Sequence, residues 1–539
     1  MIYVIDCEGQ LIKLGERIAM ATGAEVLSKH EELVELAYLD SFDWLFHQSG
    51  VKLQTETGST IDGKKTILRW IPDINALSPP AAIHLEKLPE TAADLPVGKM
   101  HDSINKILGL RSLIPVARIR SRQVKLVMRD QEGKTLCRLT LEHNHARPKL
   151  GRRSLDLGCR LRLEALVGYE KAFTKTAKLL KKVNGLAAAK DDLFIQALNA
   201  AGRSPGDYSS RINISLKREW RTDKACRKIL LSQLDQLERN IEGTIADTDT
   251  EFLHDLRVSV RRSRSLVDRM KIAFPKSIYV RFSKELTWLG DKTTPLRDMD
   301  VFMLYFPKYL ESLRPELRVN LIPLHDFLIA HHKSEQVILV KHLHSERLEN
   351  FRVKWRKYLE QPLPKKPVAQ LSTRPIGEVA DRYIWKSYRR LIKKGLTITQ
   401  NSPDVEIHKI RITCKKLRYL LEFFSSLYSN KEVKEIVSTL KNFQENLGDF
   451  QDLSVQAVKL SNVALEMIEE GETRPDALIA IDILITKMNN KKQQVRSEFD
   501  ERFSRFASAK VEKKFRKLCN KNKSDKREIK TDKTVQNKQ

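Results

Sequence analysis

Two textures of apolar spacing divide the chain. Over residues 1–170, short runs such as IYVIDC, GVKLQTE, KTILRW, RQVKLVMRD, TLCRLTLEH and CRLRLEALV are bounded by Gly, Asp or Pro, and many alternate in polarity. Alternation of period two predicts strands with one buried face. Pro72, Pro79, Pro80, Pro89 and Pro96 mark an irregular insert among them. Residues 170–200 are predicted helical, and RSPGDYSS at 203–210 reads as a linker. From about residue 212 the apolar positions recur at the 3.6-residue period, with few glycines. A Pro-rich segment, QPLPKKPVAQLSTRP at 361–375, splits this helical region in two. The predicted fold class is α+β. A strand-rich domain at 1–205 is followed by an all-α region at 212–515, with halves at about 212–360 and 376–515. Residues 516–539 form a basic tail. Its polar, Lys-rich sequence buries too little apolar surface to offset ordering entropy, so it is predicted disordered.

The helical region repeats. HDLRVSVRRSRSL (254–266) matches HKIRITCKKLRYL (408–420) at an offset of 154 residues. Without a gap, the same offset aligns LTWLGDKTTPLRDMDV (286–301) with LKNFQENLGDFQDLSV (440–455). On a helix, His254, Arg257, Arg261 and Arg264 fall within about an 80° arc, beside an apolar stripe of Leu253, Leu256, Val260 and Val267. His408, Arg411, Lys415 and Arg418 repeat this beside Ile410, Cys414, Leu417 and Leu421. Like charges at this spacing repel, so a ridge built twice points to an external anion. Carboxylates from other helices are the competing explanation. Two histidines, each one turn before an arginine, fit phosphate hydrogen bonding better than metal ligation, because the neighbouring cations repel a metal ion. Asp298, Asp300 and Asp452 are expected to orient arginines or cap helices.

Charge widens the picture. The chain has 97 Lys and Arg against 69 Asp and Glu, a net charge of +28. Such an excess suits nucleic acid, an acidic membrane surface or polyphosphate. Aromatic residues make up 7%, which gives little material for base stacking. The six scattered cysteines include no CxxC pair, so neither a disulfide framework nor a zinc site is predicted, and a reducing interior fits. No cationic segment precedes an apolar run at the N-terminus, and no run reaches about 18 apolar residues. The expected location is the cytoplasm, with no membrane contact and no cofactor.

At the repeated motifs the chain resembles the CHAD family, the conserved-histidine α-helical domain, over about residues 215–510. The carrying segments are FLHDLRVSVRRSRS and TWLGDKTTPLRDMDV, then EIHKIRITCKKLRYLLEFF and FQENLGDFQDL. The resemblance implies two related four-helix bundles around a basic groove that binds inorganic polyphosphate, in some members at polyphosphate granules. The implied binding set is His254, Arg257, Arg261, Arg262, Arg264, Arg297, His408, Arg411, Lys415, Lys416 and Arg418, with Gln451 standing where Arg297 does in the first half. Residues 1–200 are similar to the CYTH or triphosphate-tunnel family through YLDSFDWLFHQSGVKLQ and LRLEALVGYEKAF. That likeness is degenerate. The ExExK signature is absent from the first strand, Gln54 replaces a phosphate-gripping Arg, and Arg162 replaces one metal-binding carboxylate while Glu164 survives. An arginine there opposes the Mg²⁺ or Mn²⁺ that triphosphate hydrolysis needs, so neither catalytic nor metal-binding residues are expected. Arg118, Arg120, Arg122, Lys125 and Arg129 give that domain residual basicity. Polyphosphate binding is the reading favoured. A metal-dependent triphosphatase and an RNA- or DNA-binding module are the alternatives.

Overall fold

The computed structural model describes all residues except 7–9, 29, 61–62, 73–80, 148–153, 368, 472–473 and 520–539. The chain divides into two compact units, residues 1–210 and 211–539. Part of the Pro-rich insert, including Pro79 and Pro80, lies outside the described residues, as do the last twenty residues of the expected tail. The tail's first four residues, 516–519, instead complete the helix Ala509–Cys519, because Phe515 and Leu518 are buried in the core.

The first unit is built on one antiparallel sheet. Its strands are β1 Ile2–Ile5, β2 Glu25–Val26, β3 Glu32–Asp40, β4 Val51–Thr60, β5 Gly63–Pro72, β6 Ala81–Leu85, β7 Ile114–Arg129, β8 Thr135–Ala146, β9 Leu155–Ala165 and β10 Leu186–Ala188. They run in the order β10-β1-β9-β8-β7-β3-β4-β5-β6, with β2 also on β7. The sheet curls strongly: Arg162 on β9 comes within 3.8 Å of Glu56 on β4, four strands away in that order. The stretch 170–200 is not helical throughout. Helices Glu170–Leu180 and Leu193–Ala200 flank β10. Gly185 adopts φ +82°, a conformation open to glycine, and turns the chain onto β1. The expected linker at 203–210 is anchored as well. Asp207 pairs with Arg203 and accepts from Trp44 Nε1, while Tyr208 is 2% exposed against Phe42. Cys137, Cys226, Cys414 and Cys519 are free, but Cys159 is disulfide-bonded, which departs from the expectation that the cysteines form no disulfides.

The second unit is all helix and strap. The 154-residue offset carries helix starts from Thr222 to Ile376, from Thr250 to Asp404 and from Lys276 to Asn430. The next element breaks the match. The first half has separate helices Lys276–Lys292 and Thr294–Ser312, whereas the second has one helix, Asn430–Glu469. Pro295 accounts for the break, since it lacks an N–H and its ring clashes with the preceding turn. Gly448 and Asp449 occupy the matching region in the second half and let the helix continue. The remaining long helices are Ile322–Leu343 and Glu346–Glu360, then Pro475–Ser497. The strap is stitched down, with Arg374 O accepting from Thr222 N and Leu371 N donating to Ile272 O.

The halves do not each close around a private core. One apolar cluster runs through both, from Leu230 and Leu256 to Ile384, Tyr388, Leu391, Leu417 and Phe515. A second joins Phe302, Phe306, Leu324 and Leu328 to Leu460, Ile481 and Leu484. At Gly395 a Cβ would overlap the Phe503 ring. Gly395→Ala is therefore expected to lower stability by about 1–3 kcal/mol through overpacking, seen as an earlier urea midpoint.

Candidate functional site

The first ridge lies on the helix Thr250–Arg269. Asp249 caps it by accepting from the Glu251 and Phe252 N–H groups, which fixes where the helix starts. Leu253, Leu256, Val260 and Val267 are all buried, as their spacing predicts. The neighbouring arc carries His254, Arg257 and Arg261 half-buried, with Arg264 exposed at its end. Arg257 Nη1 donates to Gly290 O, Thr293 Oγ1 and Thr294 Oγ1 at 3.0, 2.7 and 3.0 Å. These acceptors sit at the helix break and are uncharged. Burial, reinforced by Arg261, brings the Arg257 pKa down to about 10. Burial also lowers Arg261, whose hydrogen bond goes to Tyr419. Arg297 Nη2 donates to His254 Nδ1 at 3.0 Å, and Nη1 donates to Thr250 O at 2.8 Å. A guanidinium only donates, so neutral His254 carries its proton on Nε2.

The second ridge lies on Asp404–Phe423, again with Ile410, Cys414, Leu417 and Leu421 buried. His408 Nδ1 meets Gln451 Oε1 at 2.6 Å, so the residue matched to Arg297 keeps the same histidine in place with a neutral amide. With the amide so oriented, His408 donates from Nδ1, the opposite polarity to His254. Arg411 Nη2 donates to Asp452 Oδ1 at 3.0 Å. No helix break lies opposite it, so a carboxylate does what the neutral acceptors do for Arg257. Arg418 lies 3.2 Å from Glu422. Lys415 is half-buried and makes no ion pair among the described residues. Burial, with Arg411 and Arg261 beside it, brings its pKa down to about 8.

The two ridge helices meet where Arg261 contacts Tyr419 and lies near Lys415. Arg262 does not share the ridge face; it reaches Glu422 of the other half at 3.5 Å. Lys416, its repeat mate, feels Asp268, which is the repeat mate of Glu422. Lys459 pairs with Asp298, and Tyr305 lies near Asp452, which mirrors that contact across the repeat. A pseudo-twofold therefore relates the halves. It brings Arg257, Arg261, Arg297, His254, His408, Arg411, Lys415 and Arg418 into one region and sets Arg262 and Lys416 on its flanks. Carboxylates serve Arg262, Arg297, Arg411 and Arg418. Among the described residues none pairs with Arg257, Arg261, Arg264 or Lys415. Asp300 holds Arg297 at 3.4 Å and His332 at 3.0 Å, an orienting role.

Lys415 gives a pH signature. Its folded pKa lies below the ordinary 10.5, so charging it in the fold costs stability. That cost is fully present below about pH 8 and disappears as the pH rises towards 10.5. An anion bound beside it restores the charged form. Anion binding at pH 8.5 is therefore expected to take up protons. Calorimetry in buffers of different ionisation enthalpy would show this, with the uptake lost in Lys415→Arg.

In the strand-rich unit, Arg162 stands among three carboxylates: Glu164 at 2.7 Å, Glu142 at 3.0 Å and Glu56 at 3.8 Å. Glu56 also pairs with Arg69. The guanidinium occupies the centre that a divalent cation would need, so these residues do not fit a metal. Gln54 is buried on the same strand as Glu56. Of the predicted basic residues of β7, Arg118, Arg120 and Arg122 lie elsewhere and alternate outward with buried Ser121 and Gln123. Arg122, Lys125 and Arg129 pair with Glu31, Glu32 and Glu25. His143, His145 and Asp156 bring ligand atoms within 4.8 Å, but Arg122 Nη2 sits on His143 Nδ1 at 2.7 Å. No helix among the described residues is long and apolar enough to cross a membrane.

Residues 228–461 match the CHAD domain. Among solved structures the chain is similar to the CHAD domain from the plant Ricinus communis, at 22% identity and TM-score 0.46, over 54% of this chain and 95% of that one. It is also similar to PptA from Streptomyces chartreusis, at 16% identity and TM-score 0.39, over 53% and 99%. A candidate adenylate cyclase from Bacillus halodurans matches at 12% identity and TM-score 0.26, over 36% and 94%. No curated protein matches the chain.

Proposed function

We propose, for a chain whose residues 228–461 match the CHAD domain, that the helical unit binds inorganic polyphosphate without chemistry, in a basic groove between the two ridges. The observation that carries this reading is the set Arg257, Arg261 and Lys415: half-buried, drawn together by the pseudo-twofold, and without carboxylate partners among the described residues. Isolated cations in such a place carry an unmet cost, which a chain of phosphates offsets. Polyphosphate bears about one charge per phosphate and no bases, so a row of Arg, Lys and His donors suffices to hold it. Each charge-assisted bond contributes roughly 1.5–3 kcal/mol. His254, Arg297, His408, Arg411 and Arg418 extend the groove, while Arg262, Arg264 and Lys416 lie at its margins. Such a protein would sit in the cytoplasm and at polyphosphate granules.

Titration with long-chain polyphosphate against a competing single-stranded RNA tests the reading. Polyphosphate is expected to displace RNA, and its affinity to fall about 100-fold between 50 and 200 mM salt for some five phosphate contacts. RNA displacing polyphosphate would favour the nucleic-acid alternative. For the triphosphatase alternative, phosphate release from triphosphate with Mg²⁺ or Mn²⁺ is expected to stay at background, because Arg162 fills the carboxylate cluster.

A further inference from the structure

A second basic cluster lies on another face of the helix Asp404–Phe423. Arg269, Ser387, Arg390, Lys394, Lys409, Ile412, Thr413 and Lys416 line a cavity of about 150 Å³. Five of these are cations and none is a carboxylate. Asp268 holds Arg269 at 2.7 Å, and Glu406 holds Lys409 at 2.6 Å, both from outside the lining. Arg390, Lys394 and Lys416 have no ion pair among the described residues. Burial lowers the Lys416 pKa, with Arg269, Arg390 and Lys394 adding to it.

The internal repeat supplies an independent comparison. At the 154-residue offset, Ser387, Arg390, Lys394, Lys409 and Thr413 correspond to Gln233, Gln236, Asn240, Asp255 and Ser259, all buried. Arg269 corresponds to buried Phe423. The fold is thus satisfied at this place by a set with a single cation, Arg262, the mate of Lys416, which Glu422 pairs at 3.5 Å. Only the second copy of the place is open and lined with several cations. Packing does not ask for these cations.

We infer that Arg269, Arg390, Lys394, Lys409 and Lys416 form a second pocket that binds one or two phosphoryl groups, separate from the groove between the ridges. At about 30 Å³ per water the cavity holds some five waters, which suits orthophosphate, diphosphate or the end of a chain. Arg390 offers a bidentate fork, the three lysines offer point charges, and Ser387 flanks them with a hydroxyl.

Calorimetry with diphosphate and, separately, with long-chain polyphosphate tests this on the full chain. Arg390→Gln with Lys394→Asn installs the residues the first half carries at these positions. This variant is expected to bind diphosphate at least tenfold more weakly than the parent. Arg261→Glu with Lys415→Glu is expected to change diphosphate affinity less than threefold. A threefold or smaller loss of long-chain affinity in the pocket variant assigns the pocket to free short phosphates; a tenfold loss assigns it to a chain end. The pair Arg390→Gln and Lys409→Gln, both at exposed positions, repeats the test should the first variant melt early. A parent that binds no diphosphate at low salt, or pocket variants that bind it as the parent does, would overturn the inference. Loss of the groove reading appears elsewhere, as unchanged polyphosphate binding in the Arg261 and Lys415 variant.

Discussion

Changing Arg261 and Lys415 together to glutamate is expected to weaken long-chain polyphosphate binding about a thousandfold, with melting shifted by only a few degrees. The two residues sit at the crossing of the ridge helices, where Lys415 feels Arg261 directly. Neither pairs with a carboxylate among the described residues, so their charge is available to a ligand. Two lost charge-assisted bonds amount to roughly 3–6 kcal/mol, and two new anions add repulsion. At 1.4 kcal/mol per decade this exceeds a hundredfold even at its lower bound. The same exchange relieves crowding among cations, since each new glutamate finds Arg257, Arg411 or Arg418 nearby. Reversing Arg262 instead is expected to cost less affinity, because Glu422 already neutralises it. Titration of the folded variant decides the matter: affinity within tenfold of the parent would remove these residues from the site.

Arg162→Met in the strand-rich unit is expected to cost about 3–5 kcal/mol at pH 7, measured by urea unfolding. The substitution leaves Glu142, Glu164 and part of Glu56 as uncompensated carboxylates inside the curl of the sheet. Burial already raises Glu142. Burial also works to raise Glu56, but Arg69 and Arg162 bring it below the ordinary 4.5. A carboxylate depressed in this way stabilises the fold above its unfolded pKa and loses that contribution as pH falls through the folded one. Parent and variant stabilities are therefore expected to converge as pH falls through the folded pKa of Glu56. Equal stability at pH 7 would show that the cluster is hydrated and the arginine dispensable.

Periodicity and the 154-residue offset made the ridge legible in the sequence, down to the buried partners Leu256 and Leu417. They could not show what stands opposite each cation. Arg262 and Lys416 look contiguous with the ridge when written in a line, yet they turn to the flanks and meet the other half. Helical angle tells direction, and only packing tells the neighbour. The placement of Arg118, Arg120 and Arg122 on the outside of the sheet follows from alternation with Ser121 and Gln123, a signal that the buried polar residues obscure. Arg162 was recognisable as foreign to a metal site, but the convergence of Glu56 from β4 depends on the sheet's curl. The second pocket draws cations from three helices. The sequence held a signal for it in the unequal pairs Gln236 and Arg390, Asn240 and Lys394, and Asp255 and Lys409, where the repeat fails to keep charge.

The shared cores fix the order in which a growing chain can mature. When synthesis has passed the strap at 361–375, Phe302, Phe306, Leu324 and Leu328 still lack the Leu460, Ile481 and Leu484 surfaces that cover them. The first half emerges as secondary structure with sticky flanks and waits about a hundred residues for its complement. Closure then joins distant segments in one late step, a slow and aggregation-exposed route for a helical protein. Cutting the gene at the strap would yield two insoluble halves, and co-expression of the pieces, rather than either alone, would restore a folded particle.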